Sequence, residues 1–179
     1  MKESPAPTRN PGVLTLRRSL ILAAFAGLAA LLFADQRADP VHLRTIDRIV
    51  VEKSARTLST FRSGKLVKQY RIALGQNPNG AKEQEGDMKT PEGTYTVDGR
   101  NAASDFHLAL HISYPSAADS ARAADPGSDL EIHGLPNGHG SADFHPNTDW
   151  TAGCIAVTDE EIDELWQITP VGTVVEITR

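Results

Sequence analysis

The stretch Asp149-Trp150-Thr151-Ala152-Gly153-Cys154-Ile155-Ala156-Val157-Thr158 decides how this chain is read. A glycine precedes the cysteine, and a short apolar run, Ile155 to Val157, follows it and leads straight into Thr158-Asp159-Glu160-Glu161. That tetrad is a capping box, in which a threonine hydroxyl and a glutamate three residues on satisfy the open N–H groups of a helix start. Ile162, Leu165 and Trp166 then recur at helical spacing on one face, and the acidic residues of the first turn suit the helix dipole. The segment thus predicts strand, turn and helix, with a thiol at the mouth of the strand. Gly153 has no Cβ, so a substrate carbonyl can approach the backbone there, and the N–H groups of Gly153 and Cys154 are candidates to hold an oxyanion. In strand geometry Cys154 and Ala156 share one face, with Ile155 and Val157 on the other. A small alanine beside the sulfur suits an open cleft.

Working outward, apolar and β-branched runs at 46–51, 56–61, 66–74, 94–97, 106–113 and 130–133 predict strands. Turn signals divide them: Ser63-Gly64, Asn77-Pro78-Asn79-Gly80 and Thr90-Pro91-Glu92-Gly93. Ser116 to Asp119 opens an alanine-rich helix that ends before Asp125-Pro126-Gly127, and Thr173 to Thr178 predicts a closing strand after Pro170-Val171-Gly172. Together these predict a mainly β domain, a β-rich sandwich or half-barrel, with one or two short helices packed on it.

The formal net charge is −5; residues 1–34 contribute +3 (Lys2, Arg9, Arg17 and Arg18 against Glu3), so residues 35–179 carry −8. An acidic domain of this kind excludes nucleic acid as the expected partner, which would need a basic stripe. At the N-terminus, Arg17-Arg18 runs into the apolar stretch Leu20 to Phe33. It is shorter than the ~18 residues of a full membrane span and reads as a signal peptide or an N-terminal inner-membrane anchor over residues 1–34. Residues 35–45, polar and holding Pro40, read as a linker, and residues 46–179 as the folded domain. The expected location is therefore outside the cytoplasm, in the periplasm or cell envelope. In such oxidising surroundings cysteines are normally paired; Cys154 is the single cysteine of the chain, leaving an intermolecular bridge, an inert core thiol or a chemical role.

A reactive thiol needs a base or a positive neighbour. His107, His111, His133, His139 and His145 are the candidates: His133 ends a predicted strand before Gly134, His139 and His145 sit in the long loop after Leu135, and His107 and His111 share parity on one strand. Three histidines and Cys154 are also a conceivable zinc set, but His133, His139, His145 and Cys154 lack the short spacings of a structural site.

Ile132-His133-Gly134, a loop, then Thr151-x-Gly153-Cys154-Ile155 resembles the L,D-transpeptidase (YkuD) catalytic domain, as does Thr90-Pro91-Glu92-Gly93 followed by Tyr95-Thr96-Val97. The resemblance spans about residues 46–178. Two positions depart from the family pattern: Ala152 stands where histidine is usual before Gly-Cys, and Ala156 where a basic or polar residue is common. The resemblance implies a thioester acyl-enzyme on Cys154, with His133 as general base and acid and the Gly134 carbonyl orienting its ring. It further implies Gly153 in the oxyanion site and Trp150 and Thr151 at the substrate. The partners implied are peptidoglycan stem peptides, as donor and as acceptor, with no metal or organic cofactor. Cross-linking, L,D-carboxypeptidase hydrolysis and a catalytically silent peptidoglycan-binding domain all remain compatible with these residues.

Overall fold

The computed structural model describes residues 45–139 and 148–179. The signal or anchor segment, nearly all of the linker, and His145 lie outside the described residues. Eight strands form one mixed sheet: β1 (Arg48–Glu52), β2 (Thr57–Arg62), β3 (Lys65–Arg71), β4 (Gly93–Ser104), β5 (His107–Ile112), β6 (Glu131–His133), β7 (Ile155–Ala156) and β8 (Val174–Thr178). Their order across the sheet is β3-β2-β1-β8-β4-β5-β6-β7. The β1·β8 and β6·β7 pairs are parallel and the others antiparallel. Two helices accompany the sheet, α1 (Ala117–Arg122) and α2 (Asp159–Ile168), and both open with complete capping boxes, on Ser116 and Thr158.

The two edges of the sheet are joined by the segment that continues β3. Ala73 and Ala156 exchange both backbone hydrogen bonds at 2.9 Å, and Gly75 bridges in parallel to Thr151. Of the two expected architectures, the chain thus adopts the half-closed barrel. Ile49, Val51, Leu58, Val97, Leu110, Ile112, Ile132, Ile155, Val175 and Ile177 fill its interior. Ile162 and Leu165 of α2 join the same core, so the amphipathic face read from the sequence is the buried one.

Three expectations need correction. The strand at 94–97 extends to Ser104: Asp98 to Ser104 has weak intrinsic β-preference, but β5 pairs with it through two register shifts, and tertiary pairing outweighs propensity. The strand at 66–74 ends at Arg71, and Ile72 to Gly75 crosses over to close the barrel. Ala156 does not line an open cleft: it is wholly buried, because it lies between His133 on β6 and Ala73 at the seam.

Candidate active site

Cys154 stands at the entrance to β7, just before the seam. The loop that presents it is fixed by polar contacts. The Asp149 carboxylate takes Arg56 Nε at 3.0 Å and Nη2 at 2.6 Å, and also accepts the Leu74 N–H at 2.9 Å. Thr151 is buried, and its hydroxyl donates to the Cys154 carbonyl at 2.7 Å while accepting the Gly153 N–H at 3.1 Å. Two glycines permit the backbones to close up here. A side chain on Gly75 would put its Cβ 2.1 Å from the Met88 carbonyl oxygen and 3.1 Å from Gly153 Cα. Gly153 adopts φ +139°, and a Cβ there would meet the Lys89 carbonyl at 2.8 Å. The opposing loop is itself anchored: the Thr90 hydroxyl accepts the Gly75 N–H, and buried Lys53 binds the carbonyls of Thr90 and Gly80 and the Glu92 carboxylate.

His133 is held in another manner. It lies on β6 beside β7, in register with Ala156, and only 2% of it is exposed. Its Nδ1 lies 2.7 Å from the Gly134 carbonyl. A carbonyl only accepts, so Nδ1 carries the proton and Nε2 has the lone pair. Phe106 and Trp150 pack on the ring, with centroids 4.5 and 5.7 Å away. Gly134 has no room for a side chain: a Cβ would lie 2.6 Å from Asp159 Oδ1 and 3.0 Å from the Phe106 carbonyl. That squeeze, with two carbonyls of the 106–108 segment accepting its N–H, aims the Gly134 carbonyl back at the imidazole.

Burial favours the neutral form of both side chains. Burial pushes the Cys154 thiol up to about 11; the Glu131 and Asp129 charges add to this, while a Glu131 backbone hydrogen bond and the Lys82 charge oppose it. Burial also lowers His133 below the usual imidazole range, against the pull of its Gly134 hydrogen bond. The sulfur hydrogen-bonds to the Asp129 carbonyl at 3.5 Å, and among the described residues it has no bond to His133. It opens on a cleft of ≈ 260 Å³ lined by Lys82, Glu85, Tyr114, Asp129, Ala152 and Gly153, among others. The chemistry available is nucleophilic attack by a partly exposed sulfur beside a strand that carries an imidazole of fixed tautomer. Among the described residues no group of three or more His, Cys, Asp or Glu side chains gathers as metal ligands would.

The family model of the L,D-transpeptidase catalytic domain, YkuD, matches residues 46–177. The chain belongs to this family. YafK of Escherichia coli, provisionally named an L,D-transpeptidase, is 30% identical over 125 residues, 66% of this chain and 45% of YafK. Among solved structures, Bdellovibrio bacteriovorus Bd1075 is 26% identical with a TM-score of 0.56, over 76% of this chain and 49% of that one. The helical cell shape determining protein Pgp2 of Campylobacter jejuni is similar in fold, with a TM-score of 0.59 at 22% identity over 75% of this chain and 48% of Pgp2. A Xylanimonas cellulosilytica L,D-transpeptidase shares the fold at a TM-score of 0.52 and 15% identity, over 75% of this chain and 61% of that one. This chain therefore spans about half the length of YafK, Bd1075 and Pgp2.

Of the residues singled out from the sequence, this YkuD-family domain brings Cys154, Gly153 and Ala152 to the cleft wall, with His133 and Gly134 on the neighbouring strand and its exit. Thr151 spends its hydroxyl inside the loop, Trp150 lies edge-on to His133, and the Gly153 N–H is engaged by Thr151. His107 and His111 lie elsewhere, bonded to Asp163 and Asp98, and exposed His139 is not among the cleft-lining residues. Sequence reasoning missed Lys82, Asp87, Tyr114 and Asp129. Asp129 carries one signal, a non-glycine φ of +57°, which only the backbone reveals.

Proposed function

We propose that this domain performs two-step acyl transfer on peptidoglycan stem peptides, with Cys154 as nucleophile and His133 as proton carrier. One observation carries the reading: the chain's single thiol faces a cleft, next to a histidine whose Nδ1–H is fixed on Gly134 and whose Nε2 is thereby basic. Substrate entry exchanges the Asp129 carbonyl for Nε2 as the thiol's acceptor; catalytic hydrogen bonds commonly tighten only in such complexes. The thiol proton passes to Nε2 as Sγ bonds to the carbonyl carbon between the diamino acid at position three and D-Ala at position four. The Cys154 N–H faces the developing oxyanion. The C–N bond breaks, Nε2 returns the proton to the departing D-Ala amine, and a thioester remains. An acceptor amine attacks that thioester, its proton passing through Nε2 to the sulfur as the C–S bond breaks, to form a cross-link and regenerate the thiol; water in its place gives an L,D-carboxypeptidase. The basic and apolar N-terminus supports delivery to the cell envelope, as a cleaved signal or an anchor.

Intact mass measured after carbapenem treatment tests the nucleophile. One acyl adduct is expected on the wild type and none on Cys154→Ser, and labelling that persists in the variant would sink the assignment. Muropeptides from sacculi incubated with the domain then separate outcomes: new cross-links mean transfer and shortened stems mean hydrolysis. Unchanged muropeptides with retained sacculus binding would overturn the enzyme reading.

A further inference from the structure

Among the residues that line the cleft, Lys82 is the single basic side chain, and Glu85 and Asp129 are the acidic ones. The Lys82 side chain is 9% exposed and its ion-pair partner Asp87 10%, with 2.9 Å between Nζ and Oδ1. An ammonium so far withdrawn from water needs well-placed partners. Asp87 does not depend on Lys82 in return. Its carboxylate also accepts the backbone N–H groups of Glu83 at 2.7 Å, Gln84 at 3.1 Å and Lys89 at 3.0 Å. Burial pushes this carboxyl up, and the four donors overcome it and hold it at about 2. Asp87 is thus a fixed anion, built into the 82–89 loop, that positions the lysine at the cleft. Lys82 gives Asp87 one of its three N–H donors, and the others are available to an acceptor in the cleft. Its charge also reaches Cys154, where it opposes the carboxylates of Glu131 and Asp129.

We propose that Lys82 is a specificity-determining residue that binds the C-terminal carboxylate of the donor peptide, so that the cleft selects a scissile amide that is the last in its chain. This rests on the acyl-transfer reading above. When Sγ attacks that amide, the terminal carboxylate is one residue away, ~3.8 Å along the chain. Lys82 and Cys154 line the same cleft, which puts the ammonium on the side of the sulfur where that carboxylate lies. Lysine suits the task, since its ammonium is a point charge on a flexible four-carbon stem and needs no planar fork geometry. Glu85 and Asp129 repel a carboxylate placed elsewhere in the cleft, which fixes the direction in which the donor lies. The bond order that follows is one of trimming or transfer at a peptide end, not cleavage within a longer stem.

Three synthetic donors test this on the full chain: one with a free C-terminal carboxylate, one with a C-terminal carboxamide, and one with the side-chain carboxylate of the diamino acid amidated. The wild type is expected to acylate from the free acid roughly 10- to 30-fold faster in kcat/KM than from the carboxamide. Lys82→Met and Lys82→Gln should slow the acid donor far more than the carboxamide, so that the two rates converge, and Lys82→Arg should restore part of the preference. Equal slowing of both donors, or a preference that follows the side-chain carboxylate, would overturn the proposal. Calorimetric binding to Cys154→Ala keeps the two readings apart. An acid-over-carboxamide preference that Lys82→Met removes would uphold the lysine's role even if no donor acylates the wild type. Acylation that ignores the terminal carboxylate would uphold the nucleophile and remove Lys82.

Discussion

His133 stands on β6 and Cys154 at the entrance to the adjacent β7, yet opposite kinds of structure hold them. The histidine is set in apolar packing: Phe106 and Trp150 cover its ring, Ile162 and the 106–108 backbone crowd Gly134 behind it, and a single hydrogen bond selects its tautomer. The cysteine is set in a polar scaffold of loops, with Asp149 on Arg56, Thr151 on two backbone groups, and glycines at 75 and 153 where chains nearly touch. The difference suits the two tasks proposed for them. A proton carrier needs one orientation and an unprotonated resting ring; the Gly134 bond and the aromatic packing supply the first, and burial favours the second. A nucleophile must change partners, from a resting carbonyl to a base and then to carbon, so it is placed at a mouth whose frame is rigid while the sulfur itself can turn.

The comparison can be broken by substitution. His133→Gln should lower the acylation rate about 10²- to 10⁴-fold, the usual worth of a general base, as read by stopped-flow with a chromogenic carbapenem. A loss below tenfold would mean that the packed imidazole is structural. Gly75→Ala should cost about 3 kcal/mol or more in denaturant unfolding, because a backbone carbonyl, and not a flexible side chain, blocks its Cβ. A near-neutral result would show that the seam has slack. Thr151→Val removes two hydrogen bonds in a buried loop and should cost roughly 1–3 kcal/mol, with a larger proportional fall in acylation than in stability. The smallest effect concerns pH. With the free thiol pushed up to about 11, iodoacetamide alkylation of Cys154 should keep accelerating past pH ~10, where an ordinary thiol levels off. The neutral thiol's contribution to folding is complete below its unfolded value of 9.0 and is lost as pH rises through about 11. A plateau by pH ~10 would overturn the buried resting state.

Much of this was legible in the chain because it is written locally. The Thr158 capping box, the helix face of Ile162 and Leu165, most of the strands, and the Gly153-Cys154 step are short-range patterns, and each recurs in the fold. What was not legible depends on residues distant in sequence. Nothing local in Asp98 to Ser104 predicts a strand, because β5 imposes it. Ala156 looked like a cleft residue by strand parity, since alternation says nothing about which distant segment will pair along a strand's open edge. Lys82 and Asp87 sit in a stretch whose sequence alone reads as a loop dense in turn residues; only the return of that loop against Gly75 and Gly153 brings Lys82 to the wall of the cleft that holds the sulfur.

The pairing of Ala73 with Ala156 carries a temporal consequence. It joins positions far apart in the chain, and contacts of that kind form slowly because a long loop must close before they gain anything. Asp149, Thr151 and Gly153 find their partners across the same seam. In a folding chain the strands around β1 and β2 can therefore associate while the thiol is still an ordinary, unplaced cysteine. Closing the barrel and assembling the loop that presents Cys154 share these contacts, so a molecule with an open seam lacks the cleft as well.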